Sequence, residues 1–249
     1  MGAAVASGLG QVASVLVLLT HFARRKGSLR LRRFSWDRAL VGKICKRGVP
    51  EAISQLNTPV TALCYNLVLA RLVGDLGVST FSVLSYLFSL ANAILSGVAQ
   101  GLQPLWGRGY GRRDPEEIRR FLRWGAAINL VLAVLICGAL SLWDRPVIQI
   151  FSRDAGLVEA ASQALPVFSL SFLPMALNLV VTAYLYSTKR TLQADVIAVC
   201  RGIAVKAAAI FSIPLLLGSG AIWTAPLAAE VLTLLLALLL SRITPLVFR

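Results

Sequence analysis

The sequence predicts an all-α, polytopic membrane protein with seven transmembrane helices. Three observations carry this. Seven apolar stretches, each near the length a bilayer requires, fill the chain at approximately 3–22, 49–72, 78–103, 121–142, 161–186, 194–217 and 222–240. Hydrophobic residues make up 57% of the chain. Most of the charge sits between the stretches rather than within them. A helix needs about 20 mostly apolar residues to cross the hydrocarbon core, whereas a barrel strand needs about 10. Lipid offers the backbone no hydrogen bonds, so spans of this length are read as helices.

The first stretch, 3–22, has no basic region before it, and its positive charges follow it. That order argues against a signal peptide and for a helix entering from outside. A chain that starts directly in a span also reads as one whose front is missing. Segment 23–47 follows, with ten Lys and Arg residues interleaved with Leu29, Leu31, Phe34, Trp36, Leu40, Val41 and Ile44. This pattern suits a helix lying on an anionic membrane surface, which makes membrane lipids the first expected partner.

The net charge of +14 would suggest nucleic-acid binding in a soluble protein. Here the positive-inside rule accounts for it, and no nucleic-acid partner is expected. Arg and Lys concentrate in 23–47 and 108–123, at Lys189 and Arg190, and at Arg242 and Arg249, all on one side if every span crosses once. The other side holds only Arg71, Arg145 and Arg153. The expected topology therefore puts Met1 outside and Arg249 in the cytoplasm.

The second span carries a polar seam of Glu51, Ser54, Gln55, Thr58, Tyr65 and Asn66, all within about 60° of one line at 100° per residue. Glu51 with Gln55 could bind a proton or Na⁺ beside a cavity. Glu51 could equally be an interfacial acid at a helix N-terminus. The third span has a longer seam of Ser82, Ser85, Ser89, Asn92, Ser96, Gln100 and Gln103. It faces either a cavity or other helices through interhelical hydrogen bonds. Gly97 and Gly101 form a GxxxG pair, expected to mark close helix packing. Gly107-Arg108-Gly109-Tyr110-Gly111 lacks the strand and Lys-Ser/Thr of a phosphate loop and reads as a flexible turn.

Prolines interrupt the spans at Pro50, Pro59, Pro166, Pro174, Pro214 and Pro226 and predict bent helices. Lys206 and Glu230 lie deep in the last two spans, at comparable depth across the turn Gly218-Ser219-Gly220. Each charge alone would cost about 2.5–3.5 kcal/mol or more in the membrane, so an ion pair is expected. Arg201 lies nearer the cytoplasmic end and is expected to snorkel. The four cysteines, Cys45, Cys64, Cys137 and Cys200, show no metal or disulfide spacing and read as small apolar filler. His21, the only histidine, reads as an interfacial ring. No catalytic constellation and no ATP site emerge, so an enzyme is not expected.

The run from Gly97 through Gln100, Gly101, Gln103, Pro104 and Leu105, followed by the glycine-rich turn, resembles the signature of multidrug and toxic compound extrusion (MATE) transporters. Arg201-Gly202, Gly48-Val49-Pro50, and Ala221-Ile222-Trp223 with Pro226, Glu230, Leu232 and Thr233 extend the resemblance over nearly the whole chain. It implies a bacterial cytoplasmic-membrane antiporter, exchanging Na⁺ or H⁺ for small amphipathic, often cationic compounds, with no other cofactor. It also implies half of a twelve-helix fold. Residues 1–22 resemble the last helix of a first lobe, 23–47 the interlobe linker and 48–241 a six-helix C-terminal lobe, with 242–249 as a cytoplasmic tail. The implied cavity residues are Thr58, Ser89, Asn92, Ser96 and Gln100; Glu51 and Gln55 are the implied cation-coupling residues. The chain departs from the pattern at Gln55, where many relatives carry an acid. The implied partner is a separate N-terminal half or a second copy. Two rival readings stay open: a non-transporting remnant, and a lipid-linked oligosaccharide flippase of the same superfamily.

Overall fold

A computed structural model describes the backbone of residues 2–23 and 37–243, with side chains described outside 3–4, 7, 21–23, 46–55 and 240–243. The described residues are helical throughout, with short connections. The chain divides into two compact units, 1–47 and 48–249. The first contains α1 (Gly2–Ala23) and the beginning of α2 (Arg38–Leu72), where the Asp37 carboxylate accepts from the backbone N–H groups of Ala39 and Leu40. Most of the basic segment, 24–36, lies outside the described residues.

The second unit continues with α3 (Asp75–Arg112), α4 (Pro115–Leu142), the short α5 (Asp144–Gln149), α6 (Ala155–Ser169), α7 (Phe172–Ser187), α8 (Thr191–Val199), α9 (Val205–Leu217) and α10 (Ala225–Ile243). Four segments in it are long and apolar enough to cross a membrane, or five if the bent pair α6–α7 is one span. The described residues thus do not reach a count of seven. On α2 the polar Asn57, Thr58, Thr61, Tyr65 and Asn66 dilute the hydropathy. Within α1 only Gly8–Thr20 registers, as a shorter apolar helix.

Helix α3 is the centre of the unit, packed against α4, α6 and α7; α10 packs against α7 and α9. Its buried line runs through Leu84, Leu87, Ala91, Leu95, Ala99 and Trp106. These residues face Ala133, Leu165, Phe172 and Met175 in one core cluster, and Ile118, Tyr184 and Ile197 in another. A third cluster joins Tyr65 and Leu69 of α2 to Phe81, Ile210, Ala225 and Ala229.

Two expectations are corrected along α3. The run Gly107–Gly111 is not a turn: the helix continues to Arg112 and ends on Arg113 at φ 56°. Of its glycines, Gly109 is the one α4 approaches closely: a Cβ there would stand 2.9 Å from Ile118 Cγ1, whereas Gly107 and Gly111 have open space. Gly97 and Gly101 form no packing seam among the described residues. A Cβ on either would meet nothing within 4 Å, because both lie roughly 120° or more around the helix from the buried line. Close approach instead occurs at Gly125, against Leu102, and at Gly202, against Asn57. Asp114 starts α4, accepting from the N–H groups of Glu116 and Glu117, with Pro115 in the first turn.

The fifth and sixth predicted spans are each interrupted, and the turn before the seventh is tight. Helices α6 and α7 meet at 45° across Leu170 and Ser171. The bend leaves the Ser169 carbonyl to accept from Cys137 Sγ at 2.9 Å, so Cys137 is more than filler. Buried Asn129 ties α4 to α7 through the Ala176 carbonyl at 3.0 Å. A five-residue π-helical turn, Cys200–Ala204, separates α8 from α9. Gly218, at φ 88°, stops α9 and leads into a 3₁₀ turn, Ser219–Thr224.

Candidate functional site

The π-turn organises the site. In a regular α-helix, residues five apart point about 140° away from each other. The wider turn, closed by Val205 N–H donating to the Cys200 carbonyl, brings Arg201 and Lys206 towards one side. Both then reach Glu230 of α10, which is fully buried. Arg201 Nε donates to both carboxylate oxygens, at 3.0 and 2.9 Å. Lys206 Nζ stands 3.6 Å from Oε1. Asn178 Nδ2 of α7 donates to Oε2 and to the Glu230 carbonyl, each at 2.9 Å.

The expected Lys206–Glu230 pair is therefore a triad, and its tighter member is Arg201. Arg201 does not snorkel; its side chain is 16% exposed. The α-helical spacing read from sequence turns it away from Glu230, and only the π-turn reverses that. Asn178 carried a signal of its own. A lone amide in a run as apolar as 172–181 needs a partner.

Helix α2 donates to carbonyls at and just before the π-turn. Asn57 Nδ2 donates to Ala198 O at 3.3 Å, and Thr61 Oγ1 to Gly202 O at 3.2 Å. The two donors are four residues apart on one face of α2. Gly202 allows the contact, since any Cβ there would overlap the Asn57 side chain.

Beside this junction lies a cavity of about 150 Å³ between α2, α3, α6, α9 and α10. Asn57, Thr58, Thr61, Ser85, Ser89 and Lys206 give it polar lining. Tyr65, Phe81, Phe88 and Phe168 give it aromatic walls. Tyr65 stacks on Phe81 with ring centroids 4.2 Å apart. Lys206 Nζ lies 5.1 Å from the centre of the Phe88 ring.

Of the implied cavity residues, Thr58 and Ser89 line this space. Asn92, Ser96 and Gln100 do not; they continue the same face of α3, Gln100 lying about 16 Å beyond Ser89 at 1.5 Å per residue. That face is half-buried to exposed within the chain. Its hydroxyls bond to their own helix: Ser82 to Val78, Ser89 to Ser85 and Ser96 to Ala93. Glu51 and Gln55 belong to α2, but their side chains lie outside the described residues.

The profile of the MatE family matches residues 50–220, over two thirds of the chain. The chain belongs to the MatE family. Among MatE relatives, the multidrug export protein MepA of Staphylococcus aureus (strain NCTC 8325 / PS 47) is 24% identical over 246 residues, covering 96% of this chain and 53% of MepA. MepA of Staphylococcus saprophyticus is 24% identical over 244 residues, with the same coverage. A multidrug resistance MATE family transporter of the MOP superfamily, solved in its outward-facing conformation, superposes with a TM-score of 0.82 at 18% identity, covering 94% of this chain and 54% of that one. A MATE crystallised with MaL6 gives 0.81 at 17% identity, covering 93% and 53%. These likenesses fix the fold. The chain spans about half the length of the curated relatives it matches. It is a multi-pass membrane protein of a transporter family.

Proposed function

We infer that residues 48–243 form one lobe of a MATE-type exporter of amphipathic compounds in a bacterial cytoplasmic membrane, driven by a Na⁺ or H⁺ gradient. The observation that carries this reading is the uncovered polar face of α3, continuous with an aromatic-walled cavity. The Ser82, Ser89 and Ser96 hydroxyls bond within their own helix, so they do not serve as glue between the described helices. A face of this kind would be costly against lipid and calls for water, substrate or a facing lobe. Alternating access generally rocks one repeat against another around a site at their interface. Cationic substrates, implied by the family resemblance, would lie along Asn92, Ser96 and Gln100, away from Lys206. Glu51 and Gln55 would sense the coupling cation.

Transport then requires a second lobe, and the 249-residue chain expressed alone should not export. Ethidium efflux in a pump-deficient strain tests this, first with the chain alone and then with an N-terminal half supplied in trans. Export restored only in the second case is the expected result. Robust gradient-driven efflux by the chain alone would overturn the need for that half and point to a working homodimer. No efflux in either case, despite verified insertion, would favour the remnant.

The charge asymmetry predicts that the α3–α4 connection is cytoplasmic and residues 143–160 external. In a background with Cys45, Cys64, Cys137 and Cys200 replaced, Arg112→Cys and Arg153→Cys should label from opposite sides of the membrane. Labelling of both from outside would defeat that topology.

A further inference from the structure

We propose that the cavity beside Lys206 binds the carboxylate of a small amphipathic anion. Three observations lead there. First, the triad is unbalanced: Arg201 and Lys206 share one carboxylate, so its formal charge is +1. Second, that carboxylate is already engaged by three hydrogen bonds, from Arg201 twice and Asn178 once. Lys206 Nζ pairs with it at 3.6 Å, the longest contact of the triad, and also lines the cavity; an ammonium has three N–H donors, more than that one contact uses. Third, Tyr65 lines the same cavity, and its buried hydroxyl has no hydrogen-bond partner among the described residues. A buried, unpartnered polar atom is costly unless a ligand or water completes it.

An ammonium and a phenol hydroxyl are both donors to a carboxylate. In surroundings this apolar, a charge-assisted hydrogen bond is roughly twice as strong as a neutral one. The aromatic walls, Phe81, Phe88 and Phe168, supply room for a flat apolar body. The volume of about 150 Å³ limits that body to about one ring. A cationic head group in the same space would face the Lys206 ammonium. The cavity therefore selects against the charge class the family resemblance implies, and admits anions or the carboxylate end of a zwitterion.

The inference rests on reading this cavity as a substrate chamber, but its test measures binding and not transport. Isothermal titration of the purified chain in detergent at about 0.15 M salt, where surface charge is largely screened beyond about 8 Å, would compare benzoate, benzamide and benzamidine, three probes of one shape and different charge. Benzoate should bind at least about tenfold more tightly than benzamidine, the size of one charge-assisted hydrogen bond. Lys206→Met should erase that preference and Lys206→Arg should keep it, while Tyr65→Phe should weaken benzoate more than benzamide. Equal or tighter binding of benzamidine by the unaltered chain would overturn the proposal without needing any variant. So would a preference for benzoate that survives Lys206→Met. Benzoate binding together with failed export in the two-lobe assay would leave the anion site standing and remove the exporter reading.

Discussion

Replacing Glu230 with Gln should destabilise the protein by about 3–5 kcal/mol, the usual cost of removing one partner from a buried ionic group. The carboxylate is fully buried and is the only acid between Arg201 and Lys206 in the triad. Its loss strands two cations in the bundle. A sequence reading that pairs Lys206 with Glu230 alone predicts that Lys206→Met/Glu230→Gln is nearly neutral. The structure predicts otherwise, because Arg201 would remain uncompensated in that double variant. Lys206→Met alone should be mild, since it leaves the Arg201–Glu230 bonds intact. Stability should return only when Arg201→Met is added to the double variant. Melting followed by fluorescence-detected size exclusion in detergent measures all four. A double variant as stable as the parent would show that Arg201 is not held by Glu230.

Gly202→Ala should cost about 1–3 kcal/mol, the range for overpacking a fitted site. The new methyl would occupy the space of the Asn57 side chain. Asn57 must then leave, and its hydrogen bond to Ala198 goes with it. Asn57→Ala removes the obstruction. The double variant Gly202→Ala/Asn57→Ala should therefore be no less stable than Asn57→Ala alone, although each single change is harmful. Strict additivity in this cycle would mean that α2 does not pack on the π-turn as described.

Most of the architecture was legible in the sequence because lipid removes the alternatives. An apolar stretch of span length in a membrane has to be helical, so α3, α4 and α10 could be placed without knowing what they touch. Arg201, Asn57 and the Gly107–Gly111 run were misread or missed for one shared reason. Each depends on a neighbouring helix rather than on its own periodicity. At Gly109 a side chain would crowd Ile118 of α4, so the glycine there serves helix packing rather than a turn. Asn57 falls off the α2 seam drawn from sequence, yet it holds the π-turn. Gly97 and Gly101 show the converse: a packing motif on a face that no described helix covers.

Composition and spacing by themselves determined that this chain is a helical membrane protein with polar seams and charges that need partners. Those properties follow from local free energies of transfer, which a residue carries wherever it sits. Only the tertiary structure decided which partners meet. Helical phase determines which side chains face each other, and one π-turn at Cys200–Ala204 shifts that phase for everything after it. The shift turns Arg201 onto Glu230, leaves Lys206 facing the cavity, and makes an expected ion pair into an unbalanced triad. No pattern with a fixed period of 3.6 residues contains that information, because the interruption is stabilised by Asn57 and Thr61, about 140 positions earlier in the chain.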